Sequence, residues 1–595
     1  MRLWLAARRP STFAVALRKR FVLYFALIAA GWLPWIILTW PGAMRDDTMA
    51  QYLQAMGLHH YYTQHPLFDT LIFGLFWRFG AAVFGSPLAG QAVYTVVQAF
   101  ALAVGIACTL CYIRKLGAPL WLVAVGLVYS ATSYVVVAST TTMGKDSLHA
   151  AFFLPFAVIF TEACLTRGRV LRRMPVAIAF TLLAFAVIAS KRTALIIVVC
   201  AGIGLLCVCD GRRTASQSDS GRPADSPADS PAHRPDSRRV PRLRRPIPAR
   251  LRAGICLIVA IVLAQGVFTP IANAVTHAVP SPGREVWGII TQPVARLAHD
   301  DPAAISSDQR RVLDTIMELD KAAATINPHR SDETFHTLRE PRRDAAGIVT
   351  IPGPTVAQKL EAVRVWARLG RAHPLVYARA YAAQTRGWWD PRVNFSYPTD
   401  SDYLLRGGYL RQWSTYLSVD EVRRAGVGDT AEVHRTEGTG DAAAITEEAR
   451  MTAIARDLAP LVGTSNRPQW CRDVLRDIRD WARGGTTAAV RAGNPLTGMA
   501  LYVTWIPLAV GIALMTEAVM RSRRGHADGH MTGEVAGRYP SGRVVTASPG
   551  SRLAAFGLLA FTVLSLYASP EALFWYPIPV FASLPLFAAL PFILD

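Results

Sequence analysis

At 595 residues, with 52% of them hydrophobic, 18% charged and 15 Trp, the chain has the composition of a multi-spanning membrane protein and not of a soluble globule. A formal charge of +21 raises nucleic acid as a partner, but the Arg residues gather at the ends of apolar runs and in linkers, where the bias toward basic cytoplasmic loops accounts for them. No basic face is interleaved with aromatics as base stacking requires, so no nucleic-acid partner is expected. Of the eight Cys, only Cys471 falls in the large polar region, which excludes an internal disulfide there. The CxxC of Cys108 and Cys111 has no second ligand pair and reads as packing, not zinc.

In chain order, residues 1–20 are basic (Arg2, Arg8, Arg9, Arg18, Lys19, Arg20) and are expected to stay in the cytoplasm. The first span, 21–40, is long for a signal-peptide core and lacks a small-residue cleavage site, so it reads as a retained helix. It opens an N-terminal membrane module, 21–209, whose outer loop covers 41–87. There Asp46 and Asp47 precede apolar Met49, Tyr52, Leu53 and Met56 at helical spacing, which predicts a short amphipathic helix at the membrane surface. Two acids at such a start either cap the helix or serve an enzyme that takes a proton from an acceptor hydroxyl.

An apolar run at 66–85, containing Asp69, Trp77 and Arg78, either crosses or lies in the interface. If it lies in the interface, spans at 88–113, 119–138, 148–165, 175–190 and 193–209 put every basic loop on the cytoplasmic side. If it crosses, the basic linker would be exported, so the interfacial reading is adopted. Residues 210–252 are rich in Pro, Ser, Ala, Asp and Arg, with the repeat PADSPADSPAH, and predict a disordered cytoplasmic linker.

Beyond the linker, a span at 253–275 leads to a mainly α extracytoplasmic domain, 276–497. Its helical patterns fall at 309–324, 356–371 and 374–386, and its loops at DPRVNFSYPTDSD and RTEGTGD. A span at 498–520, a basic cytoplasmic loop at 521–552 and a C-terminal transmembrane hairpin at 553–595 complete the chain. The expected fold is an all-α multi-spanning membrane protein with about ten transmembrane helices, one interfacial helix and both termini in the cytoplasm.

On that topology the polar residues at outer span ends are Asp46, Asp47, His65, Lys145, Asp146, Lys191, Arg192, Arg284, Glu285, Gln292 and Arg296, candidates to line one outward-facing cavity. Lys145 and Asp146 also fit an ordinary outer turn. For Lys191 and Arg192, a snorkelling basic turn competes with an anionic partner such as a lipid phosphate; basic residues are disfavoured outside, which favours the partner. His59, His60 and His65 at a helix boundary read as structural before metal-binding.

WPGAMRDDTMAQ followed by a Gly and YTQHPLFDTLIFGLF resembles the first outer loop of the GT-C superfamily of membrane glycosyltransferases, and more narrowly a bacterial branch of it. That branch shows a Pro-Gly, an Asp followed by Ser or Thr with a Gln three positions later, and an HP opening the interfacial helix; Asp47, Thr48, Gln51, His65 and Pro66 fit. GKDS (144–147), REVWGIITQPVAR (284–296), HPLVYARAYAAQTRGWWDP (373–391) and WYPIPVFASLP (575–585) fit as well. The chain departs from the branch at Ile290–Pro293, where Pro-x-Gln-Gln is usual, and at Trp575-Tyr576, where Arg-Tyr is usual.

The resemblance implies an enzyme of the cell membrane that moves a sugar from a polyprenyl-phosphate donor to an envelope glycan, lipid or protein acceptor on the outer face. Asp47 would be the general base, with Asp46 second. Gln51, His65, Lys145, Asp146, Arg192, Arg284, Glu285, Gln292 and Arg296 would bind substrate, and Lys145, Arg192 and Arg296 would meet the phosphate. Some relatives use a divalent metal and others none, so no cofactor is assigned. The rival classes are a transporter or flippase of lipid-linked envelope precursors and a non-enzymatic envelope scaffold.

Overall fold

The structure is a computed structural model that describes residues 13–394 except 58, 60, 210–246, 282 and 344–348; positions 452, 455–456, 458–459 and 461; residues 467–483; and residues 494–593 except 495, 528–536, 539–543, 546–547 and 570. Most of the expected linker, the RTEGTGD loop and half of the basic 521–552 stretch lie outside the described residues.

In chain order the helices of the membrane part are α1 (Phe13–Thr39), the short α2 (Asp46–Ala55), α3 (Leu67–Phe84), α4 (Pro87–Lys115), α5 (Leu120–Thr132), α6 (Lys145–Leu165), α7 (Met174–Ser190), α8 (Ala194–Cys209), α9 (Ala249–Thr276), α10 (Leu501–Arg523), α11 (Pro549–Tyr567) and α12 (Ile578–Phe592). Among the described residues, seven of them, α1, α3, α4, α6, α9, α10 and α11, are long and apolar enough to cross a membrane; α5, α7, α8 and α12 are shorter apolar helices. The chain is a multi-pass, mainly α membrane protein.

Helix α6 sits at the centre, packed against α4, α7, α11 and α12, while α1 lies on α4 and α5, and α8 on α11. Their shared core is aliphatic and aromatic, with Trp32, Phe153, Phe156, Phe160, Phe180 and Phe581 wholly buried. Helix α4 begins on a Ser86 cap with Pro87 in its first turn, and runs for 29 residues. That is about 43 Å, longer than a hydrocarbon core of about 30 Å.

Cross-links at the two ends of α4 fix how α3 runs. Near its start, Gln91 Nε2 donates to Gly42 O, Thr95 Oγ1 to Pro41 O and Gln98 Nε2 to Thr140 O, all in loops that precede α2 or α6. At its far end Lys115 pairs with Glu162 at 2.7 Å, near the end of α6. The residues from Gln98 to Lys115 therefore cover the same depth as the length of α6, and the extra turns of α4 project past the start of α6. Helix α3 lies antiparallel on those extra turns, packed through Phe73 and Phe76 on Tyr94. Gly80 and Gly90 let the two helices touch: a Cβ on Gly90 would fall 2.0 Å from the Phe76 carbonyl oxygen. Although α3 is long and apolar enough to span, its far end points away from the Lys115–Glu162 level.

Helix α2 differs from its expected place on the membrane surface. Thr48 to Ala55 are buried throughout, in a second core of Met49, Tyr52, Leu53, Phe73, Trp77, Leu458 and Leu461. Much of the polar side of α2 finds protein partners: Gln51 Nε2 donates to Thr70 Oγ1 at 3.0 Å, and Gln54 Oε1 accepts from the Tyr62 amide at 3.0 Å, while Gln51 Oε1 has no partner among the described residues.

The region after α9 folds around Gly288–Asp300, with Ser307–Leu313, Leu319–Ala324, Val356–Ala372 and Pro374–Gln384 as further helices and its own core of Val294, Leu297, Leu313, Met317, Leu319, Val365 and Leu369. Capping boxes at Ser306/Gln309 and Thr355/Gln358 start two of these helices. The pattern expected as one helix over 309–324 is two, because Asp314 Oδ1 accepts from the Leu319 amide and Met317 bridges to Leu338, which turns the chain between them.

Candidate functional site

Two loops run side by side: Ala43–Met44 pairs in parallel with Thr142–Met143, residue 43 opposite 142 and 44 opposite 143. Each loop then turns straight into a helix, so Asp46-Asp47-Thr48 opens α2 beside Lys145-Asp146-Ser147 at the start of α6. The ladder is held from both sides. The Gln91, Thr95 and Gln98 stripe of α4 supplies side-chain donors, Trp35 Nε1 donates to Thr141 Oγ1 at 3.1 Å, and Thr48 Oγ1 donates to Met143 O at 2.5 Å. Gly42 is required here: its φ is +117°, and a Cβ would meet Thr95 Oγ1 at 2.3 Å.

The parallel arrangement brings opposite charges together in two pairs. Lys145 Nζ lies 2.6 Å from Asp47 Oδ2 and 3.3 Å from His65 Nδ1, while His65 Nε2 is 3.7 Å from Asp47 Oδ1. Asp146 Oδ1 accepts from Lys191 Nζ at 2.7 Å, and Lys191 also donates to the Tyr576 carbonyl at 3.2 Å. Arg45 stacks its guanidinium carbon 3.1 Å above the Trp575 ring. Arg45, Asp47, Thr48, Thr142, Gly144, Lys145, Asp146, Ser147, Trp575 and Ile578 line one pocket, into which two helix N-termini face.

Burial opposes ionisation of Asp47, but the attraction of Lys145 and His65, the hydrogen bond from Lys145 and the charge of Arg45 together hold its carboxyl well below the usual carboxylate range. Burial likewise pushes the His65 ring down to about 4; Asp47 opposes this, and Lys145 and Arg192 reinforce it. At neutral pH the site holds an ionised Asp47 and a neutral His65. The carboxylate is a weak base as long as Lys145 stays on it.

Of the sequence candidates, the structure brings Asp47, His65, Lys145, Asp146 and Lys191 together. Arg192 is exposed and acts on His65 only through its charge. The side chain of Asp46 lies outside the described residues. Gln51 does not line the pocket; it is buried against Thr70. The candidates after α9 are engaged elsewhere: Arg284 pairs with Glu340, Glu285 accepts from Gln64 at 3.3 Å, and Arg296 pairs with Asp300 one turn along its helix. Gln292 sits in a buried network, donating to Asn327 O at 2.6 Å and accepting from Thr334 Oγ1 at 2.9 Å.

Sequence reasoning passed over Arg45, whose signal was a cation directly before two acids. It also passed over Trp575 as a pocket wall. Asp69, in the first turn of α3, is wholly buried, and neither carboxylate oxygen has a hydrogen-bond partner among the described residues. No group of three or more His, Cys, Asp or Glu suited to a metal ion occurs among the described residues.

Compared with known families, residues 48–215 and 250–440 match a family described as "Family of unknown function (DUF6020)". The matched segments take in His65, Lys145, Asp146 and Lys191, begin one residue after Asp47, and are interrupted where the Pro- and Arg-rich linker lies. No curated protein and no solved structure matches the chain.

Proposed function

We propose that this chain, which belongs to the DUF6020 family of unknown function, is an integral membrane glycosyltransferase that moves a sugar from a polyprenyl-phosphate donor to an envelope glycan, lipid or protein acceptor on the outer face. The observation that carries the reading is the Asp47–Lys145 pair, with a second ammonium on Asp146, where a parallel two-pair ladder sets two helix N-termini side by side. A phosphate is the anion such a mouth suits, because ammonium groups and helix dipoles both favour it.

The acceptor hydroxyl attacks the anomeric carbon, its proton passes to the Asp47 carboxylate, and the bond from that carbon to the phosphate oxygen breaks with its electron pair going to the phosphate. Lys145 has a double part in this. It is drawn off Asp47 by the donor phosphate, which restores the basicity of the carboxylate, and it then stabilises the leaving phosphate together with Lys191 and Arg192.

The proposed topology has ten spans, namely all the apolar helices except α3, which lies in the outer interface with the N-terminus and the C-terminus in the cytoplasm. The support is that α3 packs on the part of α4 that projects past the site, and that this count leaves the basic loops inside.

The test compares the sugar composition of the cell envelope in the parent strain, a deletion and an Asp47→Asn strain with confirmed expression. Loss of the same sugar in the deletion and in Asp47→Asn supports transfer at this carboxylate. Loss in the deletion with a normal envelope in Asp47→Asn overturns the mechanism and favours transport of a lipid-linked precursor.

A further inference from the structure

The helix Gln469–Ala482, QWCRDVLRDIRDWA, is apolar over more of its circumference than the protein covers. At 3.6 residues per turn, Cys471, Leu475, Ile478 and Ala482 form one stripe, and these face the protein: Cys471, Leu475 and Ala482 are buried and Ile478 packs on the membrane core. Trp470, Val474 and Trp481 fall within about 40° of one another on the adjoining arc. They are 57%, 38% and 48% exposed. The remaining arc carries Arg472, Asp473, Arg476, Asp477, Arg479, Asp480 and Arg483, largely paired among themselves.

The uncovered stripe is continuous with the lipid-facing surface of the spans. Just before the helix, Arg467 donates to the carbonyls of Thr39 and Trp40 at the end of α1, where Leu33, Ile37 and Trp40 are exposed. Trp481 stands edge-on to Tyr134, with ring centroids 6.0 Å apart. After the helix, Asn494 and Thr497 donate to the Trp481 and Ala482 carbonyls and lead into α10, where exposed Trp505 donates to the Trp389 carbonyl. Exposed Trp side chains from four separate parts of the chain therefore gather at one level, where α1 ends and α10 begins. Trp residues with an apolar body and a polar N–H concentrate at the membrane–water boundary.

We infer that Gln469–Ala482 is an interfacial anchor lying in the lipid headgroup layer, with the Trp470, Val474 and Trp481 stripe against lipid and the Arg/Asp face in water. This holds whatever reaction the site performs. It sets the depth of that site: Trp40 is three residues before the ladder that carries Asp47 and Lys145, so the pocket opens at the level of lipid phosphates.

The experiment uses the full chain in nanodiscs of phosphatidylethanolamine and phosphatidylglycerol, with exposed Cys207 replaced by Ser and a nitroxide placed at Val474→Cys or at Asp477→Cys. Power saturation with oxygen and with a water-soluble nickel chelate reads the depth of each label. The expected result is several-fold greater relaxation by oxygen than by nickel at 474 and the reverse at 477. Trp470→Cys repeats the apolar-face measurement should Val474→Cys fail to fold. Nickel dominance at both positions overturns the inference, and so does a label at 474 shielded from both reagents, which is the signature of a second copy or another protein on that stripe.

Discussion

Lys145 Nζ sits 2.6 Å from Asp47 Oδ2 although the two residues are 98 positions apart, and the same ammonium lies 3.3 Å from His65 Nδ1. One cation thus holds both Asp47 and His65, and it is placed there by a parallel ladder of only two residue pairs.

If Lys145 both latches Asp47 and stabilises the leaving phosphate, Lys145→Met lowers transfer from a polyprenyl-phosphate sugar by about 100-fold or more. Asp47→Asn does the same, and the double variant is little worse than the weaker single one, because groups acting as a unit are not additive. Sugar transfer in reconstituted vesicles measures this. Independent, multiplicative losses in the double variant would sink the latch.

His65 gives the pH dependence a sign. With its folded value near 4 and its ordinary value at 6.5, the unfolded chain binds the extra proton between them, so the contribution of His65 is fully present above pH 6.5 and is lost as pH falls toward 4. Asp47, held low, adds a further loss as pH falls below its ordinary value of 3.8. The thermal midpoint in detergent should fall from pH 7 to pH 4.5, and His65→Gln should flatten that fall. An unchanged slope in the variant would show that His65 is not the group responsible.

Asp69 has a buried carboxyl whose oxygens lack partners among the described residues, an arrangement that costs about 1–3 kcal/mol for a polar group and more for a charged one. Asp69→Asn removes the charge at almost constant volume and should keep or raise the thermal midpoint. A clear drop would mean that the carboxyl is bonded in the folded protein, through ordered water for instance.

Two glycine substitutions separate packing from pocket. Gly90→Ala forces a methyl onto the Phe76 backbone and should split the α3–α4 contact, with loss of folded protein in the membrane. At Gly144 a Cβ meets nothing within 4 Å, so Gly144→Ala should insert and melt normally while adding bulk to the pocket. Equal yields of the two variants would refute the close approach of α3 and α4.

Composition and local pattern determined the membrane class, most of the helices and some of the charged residues that line the pocket, but not Arg45 or Trp575. Apolar runs declare themselves by length, and a charged residue at a span end stands out against them; that is why Asp47, His65, Lys145 and Asp146 were legible singly. Partnership was not. That Lys145 meets Asp47 while Arg296 stays with Asp300 depends on a ladder between two loops and on Gln91, Thr95 and Gln98 holding it, contacts no spacing rule encodes. The same holds for the amphipathic elements: α2 carries the pattern of a surface helix yet is buried, with tertiary partners for Gln54 and for the Gln51 amide nitrogen, while Gln469–Ala482 keeps part of its apolar arc uncovered. Periodicity reports that a helix has two faces, and only the packed chain decides what lies against each.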